Sequence, residues 1–187
     1  MKKFLIAIAA LTTVAATPAF ATDAPASNLT YNLSANVSSV CGVYRSSGST
    51  VNVPFNDLAQ VSSSTSLTVS GGSASYRCNS PVGFTRTIAS VNSGKLVRAG
   101  SNGDASNSIP FKMTHGGGSS LDFVATSLSS AISETFPTGA FLSGQTGSVN
   151  FIVNGVADIN TNLNNAPGTT VFAGTYSDTV TISVTAS

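Results

Sequence analysis

The 187-residue chain carries one histidine (His115), two cysteines (Cys41 and Cys78) and seven carboxylates, the side chains best able to do chemistry. A Ser–His or Cys–His nucleophile would have to use His115 as its base. That residue lies in "MTHGGGSS", a glycine-rich stretch expected to form an exposed hairpin turn in which the imidazole is solvated. "HGGG" resembles the oxyanion stretch of some esterases, but the chain has no Gly-x-Ser-x-Gly turn to hold a nucleophile. Glycoside chemistry needs two carboxylates flanking one bond. Here Asp23, Asp57, Asp104, Asp122, Glu134, Asp158 and Asp178 are scattered, and turn or cap positions are expected for them. "SNGDASNS" offers one aspartate where calcium takes several anionic oxygens. "SGGS" and "GGGSS" lack the Lys-Ser/Thr ending of a phosphate loop. The expectation is a protein that is not an enzyme and uses no cofactor or metal.

The cysteines point to a compartment. Lys2 and Lys3 precede the apolar "FLIAIAALTTVAA", which is too short to span a bilayer, and "PAFA" ends at Ala21 in a cleavage pattern. Residues 1–21 are therefore expected to be a signal peptide, and no later stretch reads as a transmembrane helix. In the oxidising space beyond, an isolated cysteine pair forms a disulfide, whereas a metal would need more ligands. Cys41 and Cys78 would close a loop of 78 − 41 = 37 residue steps, stabilising the fold by about 3–4 kcal/mol in the chain-entropy model. Without Lys2 and Lys3 the basic count falls from 8 to 6 against 7 acids, a net charge of −1. No basic cluster suggests nucleic acid as a partner.

The elements that would position these residues read as strands, separated by Gly, Ser and Asn clusters. "STVNVPF" sets Val51, Val53 and Phe55 on one face; "TSLTVSG" and "SASYRC" follow as separate strands. In "GFTRTIASV", Arg86 falls between Phe84 and Ile88 on the apolar face, a sign of an edge or a slipped register. "NSIPFKMTH" alternates well, with Pro110 suggesting an edge or a bulge. "LDFVATSL" and "GSVNFIVNGVADI" are further strands, "LSSAISETF" a short helical turn, and "TNLNNAPGTT" a loop. The last strand has Val180, Ile182 and Val184 alternating with Thr179, Thr181, Ser183 and Thr185. One all-β sandwich is expected. Ahead of it, "NLTYNLSANVSSVC" turns Leu29, Tyr31, Leu33, Ala35 and Val37 to one side of an extended chain.

The ending "FAGTYSDTVTISV" resembles that of the spore-coat-U family, which includes pilin subunits of the archaic chaperone–usher pathway. The resemblance rests on Gly174, Tyr176, Asp178 and Thr179, with a cysteine shortly after an N-terminal strand, a second closing a β segment, and "GSVNFIVNGVADI" before the final loop. It implies an incomplete immunoglobulin-like β-sandwich, completed by a donor strand from a neighbour. A periplasmic chaperone would cover the groove first, and a related subunit's extension would replace it at an outer-membrane usher. On that basis residues 22–37 form a donor extension overlapping the start of the first strand, and residues 38–187 the domain. Leu29, Tyr31, Leu33 and Ala35 would be the donor side chains, and Val180, Ile182 and Val184 would line the acceptor edge. The product would be a surface fibre. The alternatives are that residues 29–37 are the first strand of a self-complete secreted sandwich that binds carbohydrate, or that the chain is a coat protein without a fibre.

Overall fold

The structure is a computed structural model that describes residues 28–118, 121–137 and 139–187. The expected signal peptide and Asp23 lie outside the described residues. The chain divides into two units, Met1–Asn36 and Val37–Ser187. In the first, residues 28–36 form no regular secondary structure and are exposed throughout.

The second unit is an all-β sandwich with these strands among the described residues: β1 (Cys41–Tyr44), β2 (Ser66–Cys78), β3 (Phe84–Ser90), β4 (Lys95–Arg98), β5 (Ser108–His115), β6 (Phe123–Ser127), β7 (Ile132–Phe136), β8 (Gln145–Asn154), β9 (Ala157–Asn160), β10 (Ala166–Thr169), β11 (Tyr176–Ser177) and β12 (Val180–Ala186). One sheet has the order β1-β2-β8-β5-β4-β11, with β6 also pairing β5; the other is β12-β3-β7, and β9 and β10 form a separate ribbon. Alternation decides which face each strand buries. Phe84 and Ile88 on β3, Ile109, Phe111 and Met113 on β5, and Val149 and Val153 on β8 all enter the core. Phe84 lies 5.0 Å from Phe136 and 4.8 Å, edge to face, from Phe141. Cys41 and Cys78, facing each other across β1 and β2, are joined by a disulfide, the chemistry of an oxidising, extracytoplasmic compartment. Among the described residues no helix is long and apolar enough to cross a membrane.

Several local expectations are corrected. "TSLTVSG" and "SASYRC" are one thirteen-residue strand, β2. The interruption is a bulge between Ser70 and Gly72, where Gly72 adopts a φ of +86°. "LSSAISETF" ends in strand β7, because Ile132, Glu134 and Phe136 pair with β3. The loop after β9 is a hairpin turning at Asn164 and Asn165, both at positive φ, and returning as β10. β5 is an interior strand and not an edge; it does carry an irregularity, between Met113 and His115 in its pairing with β6, away from Pro110. Phe111 donates to Gly94 O on the β4 side, so the Pro110 nitrogen faces β8, just before the β8 ladder begins at Phe111.

Arg86 lies neither at an edge nor out of register. It is 1% exposed, paired with Glu134, and donates to Leu121 O at 3.3 Å. The rings of Phe136, Tyr76 and Phe123 stand 5.0–5.6 Å from its guanidinium carbon, a cation–π enclosure. His115 joins this cluster and is not in a turn: it ends β5 on the inward face and is 2% exposed. Its Nδ1–H donates to Gly116 O at 3.0 Å. Nε2 is therefore the acceptor of the Tyr76 hydroxyl, at 2.9 Å. Burial first, and then the charge of Arg86, hold the imidazole below its ordinary pKa, against weaker opposing effects of the Gly116 carbonyl, Asp122 and Glu134.

A histidine whose folded pKa is depressed favours the neutral form, so the unfolded chain binds the extra proton. Its contribution to stability is complete above about pH 6.5 and is lost as pH falls below that value. The melting temperature of the oxidised protein is expected to drop between about pH 7 and pH 5, and His115→Gln to flatten that slope. Equal slopes in the two proteins, followed by thermal circular dichroism, would show that His115 does not carry the dependence.

Candidate functional site: an apolar groove beside an unpaired edge

The two sheets are unequal, and the shorter one leaves part of the longer uncovered. The result is a cavity of about 1480 Å³. Its floor is the inner face of the long sheet: Leu96, Ile109, Phe111, Met113, Val149 and Phe151. Val180 and Ile182 of β12 form one wall, and Val43, Val53, Phe55 and Leu58 lie opposite. Most floor residues are buried, while most of the wall residues are half-buried.

Neither wall is complete in backbone hydrogen bonding. β12 pairs with β3 along one edge, from Val180↔Ser90 to Ala186↔Phe84, and has no ladder on the other among the described residues. On the opposite side Val43 belongs to β1, which pairs with β2, whereas residues 48–57 belong to no strand. The expected strand at "STVNVPF" is thus corrected. Val53 and Phe55 do face the cavity, but the segment has no ladder, and Val51 is exposed. Apolar side chains at the floor, with unpaired backbone donors and acceptors at the rim, are what an added β-strand satisfies.

No family model matches the chain. No curated protein matches it either. Among solved structures, a chain described under "Chaperone-tip adhesin complex is vital for synergistic activation of CFA/I fimbriae biogenesis" aligns at 12% identity with a TM-score of 0.43. The alignment covers 79% of this chain and 42% of that one, so the present chain spans less than half of its neighbour's length.

The residues singled out from the sequence fall into three places. Val180, Ile182 and Val184 point inward from β12, and the first two line the groove. Gly174, Tyr176, Asp178 and Thr179 build the approach to that wall. Gly174 has a φ of +154°, and a Cβ there would meet the Arg98 side chain at 2.9 Å. The Tyr176 hydroxyl donates to Phe172 O at 2.6 Å. The Asp178 carboxylate accepts from Ser90 Oγ at 2.5 Å and from the backbone N–H groups of Asn92 and Thr179 at 2.9 and 2.8 Å. It thereby fastens the β3–β4 turn to the start of β12. Leu29, Tyr31 and Leu33 carry their apolar side chains in the open, Leu33 at 93% exposure, and Ala35 is exposed as well.

Among the described residues the other carboxylates have separate partners. Asp57 caps the 3-10 turn Leu58–Gln60, Asp104 accepts from Asn107 Nδ2, and Glu134 is held by Arg86. Among the described residues no group of three or more His, Cys, Asp or Glu side chains could hold a metal. Two contributors to the groove were not legible as such. Leu58 and Leu96 come from a short turn and a four-residue strand, elements without enough length to show a period.

Asp178→Ala removes an ionised acceptor with three donors and is expected to lower unfolding stability by about 2–3 kcal/mol. Urea unfolding checks this, and a loss under about 0.5 kcal/mol, the range of ordinary surface substitutions, would remove Asp178 from this role.

Proposed function

We propose that this protein is a structural subunit of a surface fibre, in which the groove of one copy receives the N-terminal segment of the next. The observation that carries the reading is the pairing of an apolar groove with the unladdered outer edge of β12. A segment able to fill it exists in the chain. Leu29, Tyr31, Leu33 and Ala35 recur at every second position, the spacing at which a strand presents one face to successive pockets. Burying the three large side chains gives roughly 5–9 kcal/mol before ladder bonds and ordering costs are counted. A donor supplied by another copy makes a head-to-tail contact that does not close on itself, which generates filaments.

The role is structural, not catalytic, and it requires export. The resemblance of the C-terminal stretch to spore-coat-U proteins supports a route through the periplasm, with a chaperone covering the groove and an outer-membrane usher exchanging it for a neighbour's segment. An uncovered groove of this kind is an aggregation hazard, which is the physical reason such a chaperone is needed.

Leu33→Asp places a carboxylate in the apolar floor, and its desolvation cost of several kcal/mol lowers the yield of polymer at least about tenfold. Exported chains run unheated and heated on a denaturing gel measure this as loss of a heat-sensitive ladder, with the Cys41–Cys78 bridge retained. A normal ladder from the variant would sink the donor assignment.

A further inference from the structure

We propose that the outer face of β1 and β2 carries a binding site for a carboxylate-bearing sugar, in which Tyr44 receives the sugar ring and Arg77 the carboxylate. The site goes beyond the fibre reading and does not use the groove. Register places it. Val43 lines the groove and pairs with the wholly buried Tyr76, so Gly42 and Tyr44 turn the other way, together with their partners Arg77 and Ser75. On that outer face is an open basin of about 590 Å³, with the exposed side chains of Val40 and Leu142 in its walls.

Gly42 shows that this surface has a shape to keep. Glycine weakens a strand interior and often marks a close approach, and at Gly42 no positive φ requires it. A Cβ there would stand 2.8 Å from Tyr44 Oη and 2.9 Å from Cζ. The tyrosine therefore lies along β1, with its hydroxyl end where a side chain of residue 42 would be, and it is still 45% exposed. Arg77 is supported by a second glycine. A Cβ at Gly144 would meet its Cγ at 3.1 Å, so the aliphatic stem rests against that turn while the head stays exposed. Neither the guanidinium nor the Tyr44 hydroxyl has a hydrogen-bond partner among the described residues. Asn79 also lines the basin, but its amide is committed to Val40 N and Ser38 O.

These features select a ligand. Arg77 is the one charged residue among those lining the basin, so the complementary occupant is an anion, and the planar fork of a guanidinium fits a carboxylate through two parallel bonds. An aromatic face is electron-rich and takes the C–H side of a saturated ring. Ser75, bonded to Thr146 Oγ1 at 2.7 Å, keeps hydroxyl capacity for a sugar's own hydroxyls. An acidic peptide would bring amide groups with it, and the face of a sheet cannot meet them, because its backbone donors and acceptors point along the sheet towards neighbouring strands.

The test titrates the exported, oxidised protein with trigalacturonate and sialyllactose, against maltotriose and lactose as uncharged counterparts. The two acids distinguish a uronate from a sialate source. At least one is expected to bind saturably at millimolar concentration or below, and its uncharged counterpart at least about tenfold more weakly, as the loss of a charge-assisted pair requires. Arg77→Gln is expected to remove that preference. Tyr44→Ala is expected to weaken acidic and uncharged sugars alike, and Gly42→Ala, by displacing the ring, to do the same. Arg77 and Tyr44 are exposed, so an unchanged melting temperature in their variants separates lost binding from lost folding; if Gly42→Ala does not fold, these two decide. Absence of saturable binding by either acid overturns the proposal. So does equal affinity for acidic and uncharged sugars, acid binding that survives both Arg77→Gln and Tyr44→Ala, or tighter binding of a tetra-aspartate peptide than of either sugar.

Discussion

A β-strand carries hydrogen-bonding groups along both of its edges, and β12 uses one of them. Its other edge borders a groove also lined by residues 48–57, which have no ladder among the described residues. Much of the molecule follows from keeping that vacancy in shape. Asp178 ties the start of β12 to the β3–β4 turn, Tyr176 closes the loop before it, and seven register pairs hold β12 to β3. These contacts fix the wall from behind, so its outer edge is presented and not collapsed onto the floor.

The core is divided in kind. Around the groove it is aliphatic and aromatic, with the polar groups at its rim. Beyond Ala74, Met113 and Val149 it changes to a buried polar cluster, Arg86, Tyr76 and His115, joined to Glu134. Removing a charge from water is costly unless it is paired and hydrogen-bonded. Arg86 meets this with a carboxylate, a backbone carbonyl and three ring faces. Polar specificity in this end of the sandwich gives β2, β3, β5 and β7 one alignment. The aliphatic end keeps no such demand.

Period-two alternation made the long strands legible, because Val149 and Val153 or Val180, Ile182 and Val184 have to lie on one side of a pleated chain. The same signal misled at Val51, Val53 and Phe55, where the apolar face is real but the hydrogen-bonded edge is missing. Side-chain alternation reports burial, and says nothing about whether a ladder partner exists. His115 was misplaced because the following glycines mark a loop that starts one residue later. Arg86 broke the pattern on the face where it was least expected, and only the assembled rings and Glu134 account for it.

The position of the disulfide has a mechanical meaning. β1 has four residues paired to β2, and its first residue is the bridged Cys41. Tension applied through residues 38–40 meets the covalent bond before it meets that ladder, so β1 cannot be peeled away pair by pair from its N-terminal end. The load passes directly to Cys78 and thence to the thirteen-residue β2, which is flanked on its other side by β8 and must be sheared along many bonds at once. A pulled chain of this design passes force to β2, the second strand of the long sheet, and spares the four-residue β1 at its edge.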